Sequence, residues 1–396
     1  MNFLLRLFPA AQFALFVLLF SPLNLRAQTP GVTDKEIAIG SCSALEGPSK
    51  FLGTQTVAGA RAYFDLINDQ GGAHGRKLKL IASDDSYDPA KAEDCFKHLQ
   101  SLGVFAMGFF VGTPTALKYV PLAESNKIPL VGLFTGAQSL YTPLRHWVIT
   151  VRAGYADETK EQIDGMWKTL GYKKFGVIYP DDAFGAAVLD GVKNVLKEHN
   201  AEPVAVGSYP RQTSQADAAI QSVRAAQPEA VVIVGPANTV APIVKLAHSK
   251  GWSPLFVTVS FVGTDDLIKL AGQDADGMVI TQVVPPYYLT DLKTVALYRR
   301  TLSKYMPTET PNFVSLEGFV DAMVMVEGLK RAGKEPTREG LIRGIESMHD
   351  FDIELGPQLK LNYSSHDHKG FNHVIPTVVR GGRAVPFTDW STAAPH

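Results

Sequence analysis

Residues 104–134, VFAMGFFVGTPTALKYVPLAESNKIPLVGLF, decide the fold. They read as strand, turn, helix and strand. Val104 to Val111 is a short apolar run, stopped by the turn signal Gly112-Thr113-Pro114. A helix follows from Ala116 to Ser125, and Leu130 to Phe134 is the next strand. Strands joined through a helix run parallel, because a parallel pair needs a long crossover. The pattern recurs later in the chain. Val234-Gly235-Pro236-Ala237 opens a helix containing Leu246-Ala247-His248-Ser249, and Ser253-Pro254-Leu255 starts a strand. The offset between the two segments drifts only from 123 to 125 residues, which predicts two similarly built lobes.

Working outward, the alternation continues in both directions. Ile37 to Ile39 is a strand, and Val57, Ala60, Phe64 and Ile67 lie at helical spacing before Gly71-Gly72 ends the helix. Lys77 to Ala82 is a strand and Pro89 to Leu102 a helix. In the second half, strands at Phe175–Tyr179, Val204–Ser208, Ala230–Val234 and Leu255–Val259 alternate with helices at 183–198, 216–226 and 241–249. Three helices near 291–305, 314–332 and 337–347 follow, then a closing strand pair at Val374–Arg380 and near Val385. The expected fold class is α/β, with mostly parallel, doubly wound sheets covered on both faces. No low-complexity linker separates the halves, so several structured crossings are expected in place of one tether.

Residues 1–27 carry one early cation (Arg6), an apolar run from Phe13 to Phe20, Pro22, and Leu25-Arg26-Ala27. This is the pattern of a signal peptide cut near Ala27, its apolar run being too short to span a bilayer. No Cys follows the cut, so no lipid anchor is expected. Both cations of this segment are Arg and it holds no acid, which leaves 36 cations against 39 acids in the mature chain. That balance offers no basic patch for nucleic acid or an anionic membrane. Two cysteines, Cys42 and Cys95, form an even count in an exported chain. They suit a single disulfide; two small buried hydrophobes are the alternative.

Catalytic signatures are missing where such a fold displays them. The chain has no G-x-S-x-G elbow, no phosphate-binding Walker loop, and no G-x-G-x-x-G after the first strand. No cofactor, metal or catalytic residue is therefore expected. His366-Asp367-His368, the best metal candidate, reads as a solvated polar loop. Asp84-Asp85 and Asp181-Asp182 read as helix caps. Ligands of open α/β sheets bind at the carboxyl ends of the strands. The loops there hold Ser41 to Ser43, Gly112 to Thr115, Thr135-Gly136-Ala137, Phe184-Gly185, Asn238-Thr239 and Ser260-Phe261. Hydroxyls beside helix N-termini suit an anion, and Phe134, Phe184 and Phe261 supply apolar walls.

With these pieces assembled, the chain resembles the periplasmic solute-binding proteins of ABC importers, in particular the branched-chain amino acid (leucine/isoleucine/valine) type. The resemblance is carried by Ile39-Gly40, Leu45-Glu46-Gly47-Pro48, Ile67 to Arg76, Asp84-Asp85-Ser86-Tyr87-Asp88-Pro89, Ile128 to Val131 and Tyr179 to Gly185. It implies two Rossmann-like doubly wound lobes, a type I periplasmic binding fold joined by three hinge crossings near Arg152, Val284 and Gly370. Lobe I would be 33–152 plus 285–369, and lobe II 153–284 plus 370–390. It also implies that a periplasmic monomer closes on a small molecule and delivers it to an ABC permease in the inner membrane. A ligand sensor of the same fold is the alternative. The resemblance places ligand contacts at Thr113, Thr135 and Gly136 in lobe I, and at Phe184, Asn238 and Phe261 in lobe II; the loop reading adds Ser43 and Phe134. One departure stands out. The family's amino-acid binders place an acid near positions 260–262, where this chain has Ser260-Phe261-Val262, with Asp265 and Asp266 the nearest. A desolvated ammonium without a partner costs several kcal/mol. The expected ligand is therefore carboxylated, aromatic or uncharged, and not a free amino acid.

Overall fold

The computed structural model describes residues 29–393; residues 1–27, read from the sequence as a signal peptide, lie outside them. Strand β1 (Glu36–Ser43) pairs in parallel with β2 (Lys77–Asp84) on one side and β3 (Ala106–Gly108) on the other. β4 (Leu130–Val131) and β5 (Val148–Ile149) extend this first sheet to the order β2-β1-β3-β4-β5. The second sheet is built the same way. β6 (Phe175–Pro180) lies between β7 (Ala205–Tyr209) and β8 (Ala230–Ile233), followed by β9 (Leu255–Thr258) and β10 (Val279–Gln282). A small hairpin, β11 (Phe351–Asp352) with β12 (Lys360–Leu361), stands apart. The chain end then adds β13 (Ile375–Arg380) and β14 (Arg383–Pro386) antiparallel to the second sheet.

The strands alternate with helices as the sequence predicts, with three differences of physical interest. The runs 104–111 and 130–134 keep only short regular strands, because the chain turns left-handed at Phe109 (φ 65°) and Gly132 (φ 66°); Val111 and Phe134 then re-pair as an isolated parallel bridge. The helix after β8 begins at Ala237, which puts Asn238 and Thr239 in its first turn and not in a loop. A helix at Tyr155–Gly165, continued by a π turn to Leu170, joins the sheets where no helix is predicted.

The chain passes between the sheets three times: between β5 and β6, after β10, and between Lys369 and β13. The first and third passages run side by side. Gly370 N–H donates to Thr150 O (2.9 Å) and Phe371 N–H to Val151 O (2.8 Å). After the second passage, helices Lys293–Tyr305 and Phe313–Ala332 return to pack on helix Lys50–Asp69 of the first sheet. Gly59 and Gly318 make that crossing close: an added Cβ would lie 1.9 Å from Ser315 O or 2.1 Å from Thr56 O. Cys42 and Cys95 are joined, tying the end of β1 to helix Pro89–Ser101. No helix among the described residues is long and apolar enough to cross a membrane.

Candidate functional site

In both sheets the strand order reverses beside the first strand, between β1 and β3 and between β6 and β8. Loops diverge there and leave a crevice at the carboxyl ends. The two crevices face each other, and the predicted residues line the seam.

From the first lobe comes a corner of hydroxyls. Thr113 opens helix Thr113–Asn126 after Gly112, which supplies no side-chain cap. Gly112 itself sits at φ 96°, and a Cβ there would lie 2.0 Å from the Tyr87 ring. The Thr113 and Thr135 hydroxyls hydrogen-bond at 2.7 Å, and Thr135 is 3.2 Å from the Tyr155 hydroxyl. Gly136 accepts from Tyr155 N–H at 2.8 Å, fixing that tyrosine against the corner. Ser43 is fully buried, and its hydroxyl has no partner.

From the second lobe come aromatics. Asp182 caps helix Ala183–Glu198 by accepting from Phe184 and Gly185 N–H, both at 2.9 Å. Phe184 packs on Phe261 (4.4 Å between ring centroids) and on Tyr155 (5.3 Å). Phe261 in turn meets Phe134 at 5.6 Å and Tyr87 at 5.9 Å, so rings from both lobes form one buried cluster. Beside it opens a cavity of about 310 Å3, lined among others by Thr113, Gln138, Tyr155, Ala183, Asp190 and Asn194. The structure thus brings Thr113, Phe134, Thr135, Gly136, Phe184 and Phe261 together. Asn238 is directed elsewhere and accepts across the seam from the Ser49 hydroxyl at 3.4 Å.

Behind the rings lies a charged cluster that the sequence reading did not find. Arg152, on the first passage, is 2% exposed and donates to Glu158 (3.0 Å) and Glu317 (3.1 Å), and to the Ser260 hydroxyl. Its guanidinium also lies 5.2 Å from the Phe134 ring centre and 5.7 Å from that of Tyr155. Glu158 is saturated: besides Arg152 it accepts from Ser260 N–H (2.7 Å), the Ser260 hydroxyl (2.9 Å) and the Thr281 hydroxyl (2.7 Å). Burial pushes the Glu317 carboxyl up to about 7 against the pull of Arg152, and Glu158 adds to the rise. Burial raises Asp321 well above the carboxylate range too, with Glu317 contributing, and one of its oxygens has no partner.

Among the other acids near the seam, Asp190 is exposed on the cavity wall, while others bond their local surroundings. Asp265 accepts from the Tyr287 hydroxyl (2.8 Å) and Phe313 N–H (3.1 Å), pinning two helices. Asp84 is no helix cap: it accepts from Leu45, Glu46 and Ser86 N–H and clamps the loop after β1, while Asp88 caps the next helix. Asp85 accepts from Tyr87 N–H, and burial raises its carboxyl to about 7, with Asp84 and Asp88 adding to the rise. In the His366–His368 segment, His366 and Asp367 are exposed as a solvated loop requires, but the third residue is not. His368 is fully buried, its ring against the Arg145 and Val148 carbonyls and Glu346. No group of metal-binding side chains occurs among the described residues.

Two doubly wound lobes on three crossings, with hydroxyls and aromatics converging between them, define a bilobed binding-protein fold. The family model described as periplasmic binding protein matches residues 36–383, and the chain belongs to that family. Its resemblance to the leucine/isoleucine/valine type is borne out by relatives. A possible leucine/isoleucine/valine-binding protein from Rhodopirellula baltica SH 1 is 30% identical in sequence, with a TM-score of 0.84 over 93% of this chain and 100% of that one. The Leu/Ile/Val-binding protein homolog 3 of Brucella melitensis is 21% identical over 81% of this chain and 86% of its own length. The same fold occurs in a fatty acid ABC transporter substrate-binding protein from Thermomonospora curvata (22% identity, TM-score 0.83, covering 91% of this chain and 94% of that one).

Proposed function

We propose that this protein, exported to the periplasm after a cut near Ala27, captures a small molecule between its lobes and delivers it as a monomer to an ABC permease complex in the inner membrane, doing no chemistry on it. The moving bodies are 33–152 with 285–369 and 153–284 with 370–390, turning about Arg152, Val284 and Gly370. Ser43, Thr113, Thr135 and Gly136 supply polar contacts and Phe134, Phe184 and Phe261 the apolar walls, while Asn238, which bonds Ser49 across the seam, would reach a ligand only by exchanging that partner.

The ligand is carboxylated, aromatic or uncharged, and not a free amino acid. One observation carries this reading: the buried acid closest in role to an ammonium partner, Glu158, has both oxygens occupied by Arg152, Ser260 and Thr281. An incoming ammonium would have to displace a guanidinium already desolvated there, at a cost of several kcal/mol. The neutral hydroxyls of Thr113 and Thr135 can instead turn toward a carboxylate at the open helix N-terminus. The names of relatives point to amino acids, while the occurrence of this fold in a fatty acid transporter's binding protein leaves the ligand class to the pocket.

Isothermal calorimetry on matched pairs tests the ligand class: L-leucine against 4-methylpentanoate, and L-phenylalanine against 3-phenylpropanoate. Binding of a deaminated member with a silent amino acid supports the proposal. Tighter binding of leucine or phenylalanine than of its deaminated partner overturns it.

A further inference from the structure

Beyond the pocket itself, the structure carries a contact that exists only while the lobes are together. Tyr87 belongs to the first lobe and sits in a turn held left-handed at Ser86 (φ 50°) and Tyr87 (φ 58°). Its ring reaches Phe261 of the second lobe, and its carbonyl points the same way. Two side chains on the loop after β7 meet that carbonyl: the Arg211 guanidinium donates to it, and Gln212 Nε2 donates at 3.1 Å. The guanidinium also lies 4.6 Å from the centre of the Tyr87 ring. On its other side Arg211 pairs with Asp182 at 3.1 Å, the residue that caps the helix carrying Phe184.

We propose that Arg211, assisted by Gln212, is a closure-determining residue: a latch whose capture of Tyr87 sets how much of the protein is closed. The geometry separates two halves of its bonding. The Asp182 pair is internal to the second lobe and survives opening. The Tyr87 carbonyl bond and the ring contact cross the seam and are lost on opening. A planar guanidinium suits both jobs at once, because its edge can bond a carboxylate and a carbonyl while its face covers a ring. Asp182 keeps the fork aimed in the open state, so little side-chain freedom is lost on closing. The latch also reports on the pocket, since Tyr87 touches Phe261 and is seated against Gly112, next to Thr113.

The test needs no ligand. Ser49 and Asn238 face each other across the same seam. In a Ser49→Cys/Asn238→Cys parent, the rate of disulfide formation under a mild oxidant measures the closed population, even a minor one. Loss of free thiol is followed by mass spectrometry. Arg211→Ala should trap about tenfold more slowly than the parent, the equivalent of one charge-assisted hydrogen bond. Losing its Asp182 pair also lowers the melting temperature, so Gln212→Ala, which has no such pair, is the variant whose melting temperature should stay unchanged. Arg211→Lys keeps the ion pair but not the flat face, and should fall between the two. Gln212→Ala should slow trapping by about twofold to threefold. Trapping at the parental rate in Arg211→Ala overturns the proposal. So does slower trapping in step with a lowered melting temperature in both Arg211→Ala and Gln212→Ala, which would mark a packing role inside the second lobe.

Discussion

The hydroxyl corner and the charged cluster behind it both touch Tyr155, yet they are built on opposite principles. In the corner, Thr113, Thr135 and the Tyr155 hydroxyl bond one another; all are neutral, and each can rotate to take a new partner. In the cluster, Arg152 and Glu158 are charged, buried and fully engaged. The difference teaches a division of labour. Under the proposed function, groups whose partners exchange at low cost would meet the ligand, and groups whose partners cannot be exchanged would fix the frame between the lobes.

Breaking the cluster should have the largest effect. Arg152→Ala leaves Glu158 and Glu317 buried without a cation and should destabilise the protein by about 3–5 kcal/mol in a urea titration. A loss near zero would place Arg152 among the exchangeable groups. A smaller effect separates the two regions along the pH axis. The folded Glu317 carboxyl titrates near 7, above its ordinary value of 4.5. The folded state therefore holds that proton more tightly than the unfolded one, and stability falls as pH rises from about 4.5 to about 7. Asp85 and Asp321, also raised by burial, act in the same direction, so Glu317→Gln should reduce that slope in chemical denaturation without abolishing it, whereas Thr135→Val should leave it unchanged. The smallest effect on stability belongs to the corner itself. Thr135→Val keeps the shape and should cost about 1 kcal/mol, while lowering affinity for a carboxylate found in the calorimetric screen by about tenfold.

How legible each region was in the sequence follows from the same contrast. Apolar periodicity marks most strands and helices, and the loops at their carboxyl ends led to Thr113, Phe134, Thr135, Phe184 and Phe261. Helix Tyr155–Gly165 escaped because its buried side includes the polar residues Glu158, Thr159 and Gln162, which leave no apolar stripe to read. Glu158 and Gln162 bond other parts of the chain, and Thr159 bonds the Tyr155 carbonyl within the helix. The two-residue β5 is too short for any pattern, and β10 lies in an apolar run without a helix behind it to set the rhythm. Arg152 and Glu158, Ser260, and Glu317 meet from three separated stretches of chain, and no spacing predicts that meeting. One local signal was present: a lone Arg152 after the apolar run Val148 to Val151, where a cation is costly unless paired.

The return of the chain across the seam also governs when the molecule can fold. Helix Lys50–Asp69 of the first lobe packs on helix Phe313–Ala332, and the edge of the second sheet is closed by Ile375–Pro386. Neither lobe is complete until nearly the whole polypeptide has left the ribosome, and the decisive contacts join residues far apart in sequence. Such a topology folds slowly. A chain whose lobes are completed by its last helices and strands cannot finish folding before its synthesis nears the end.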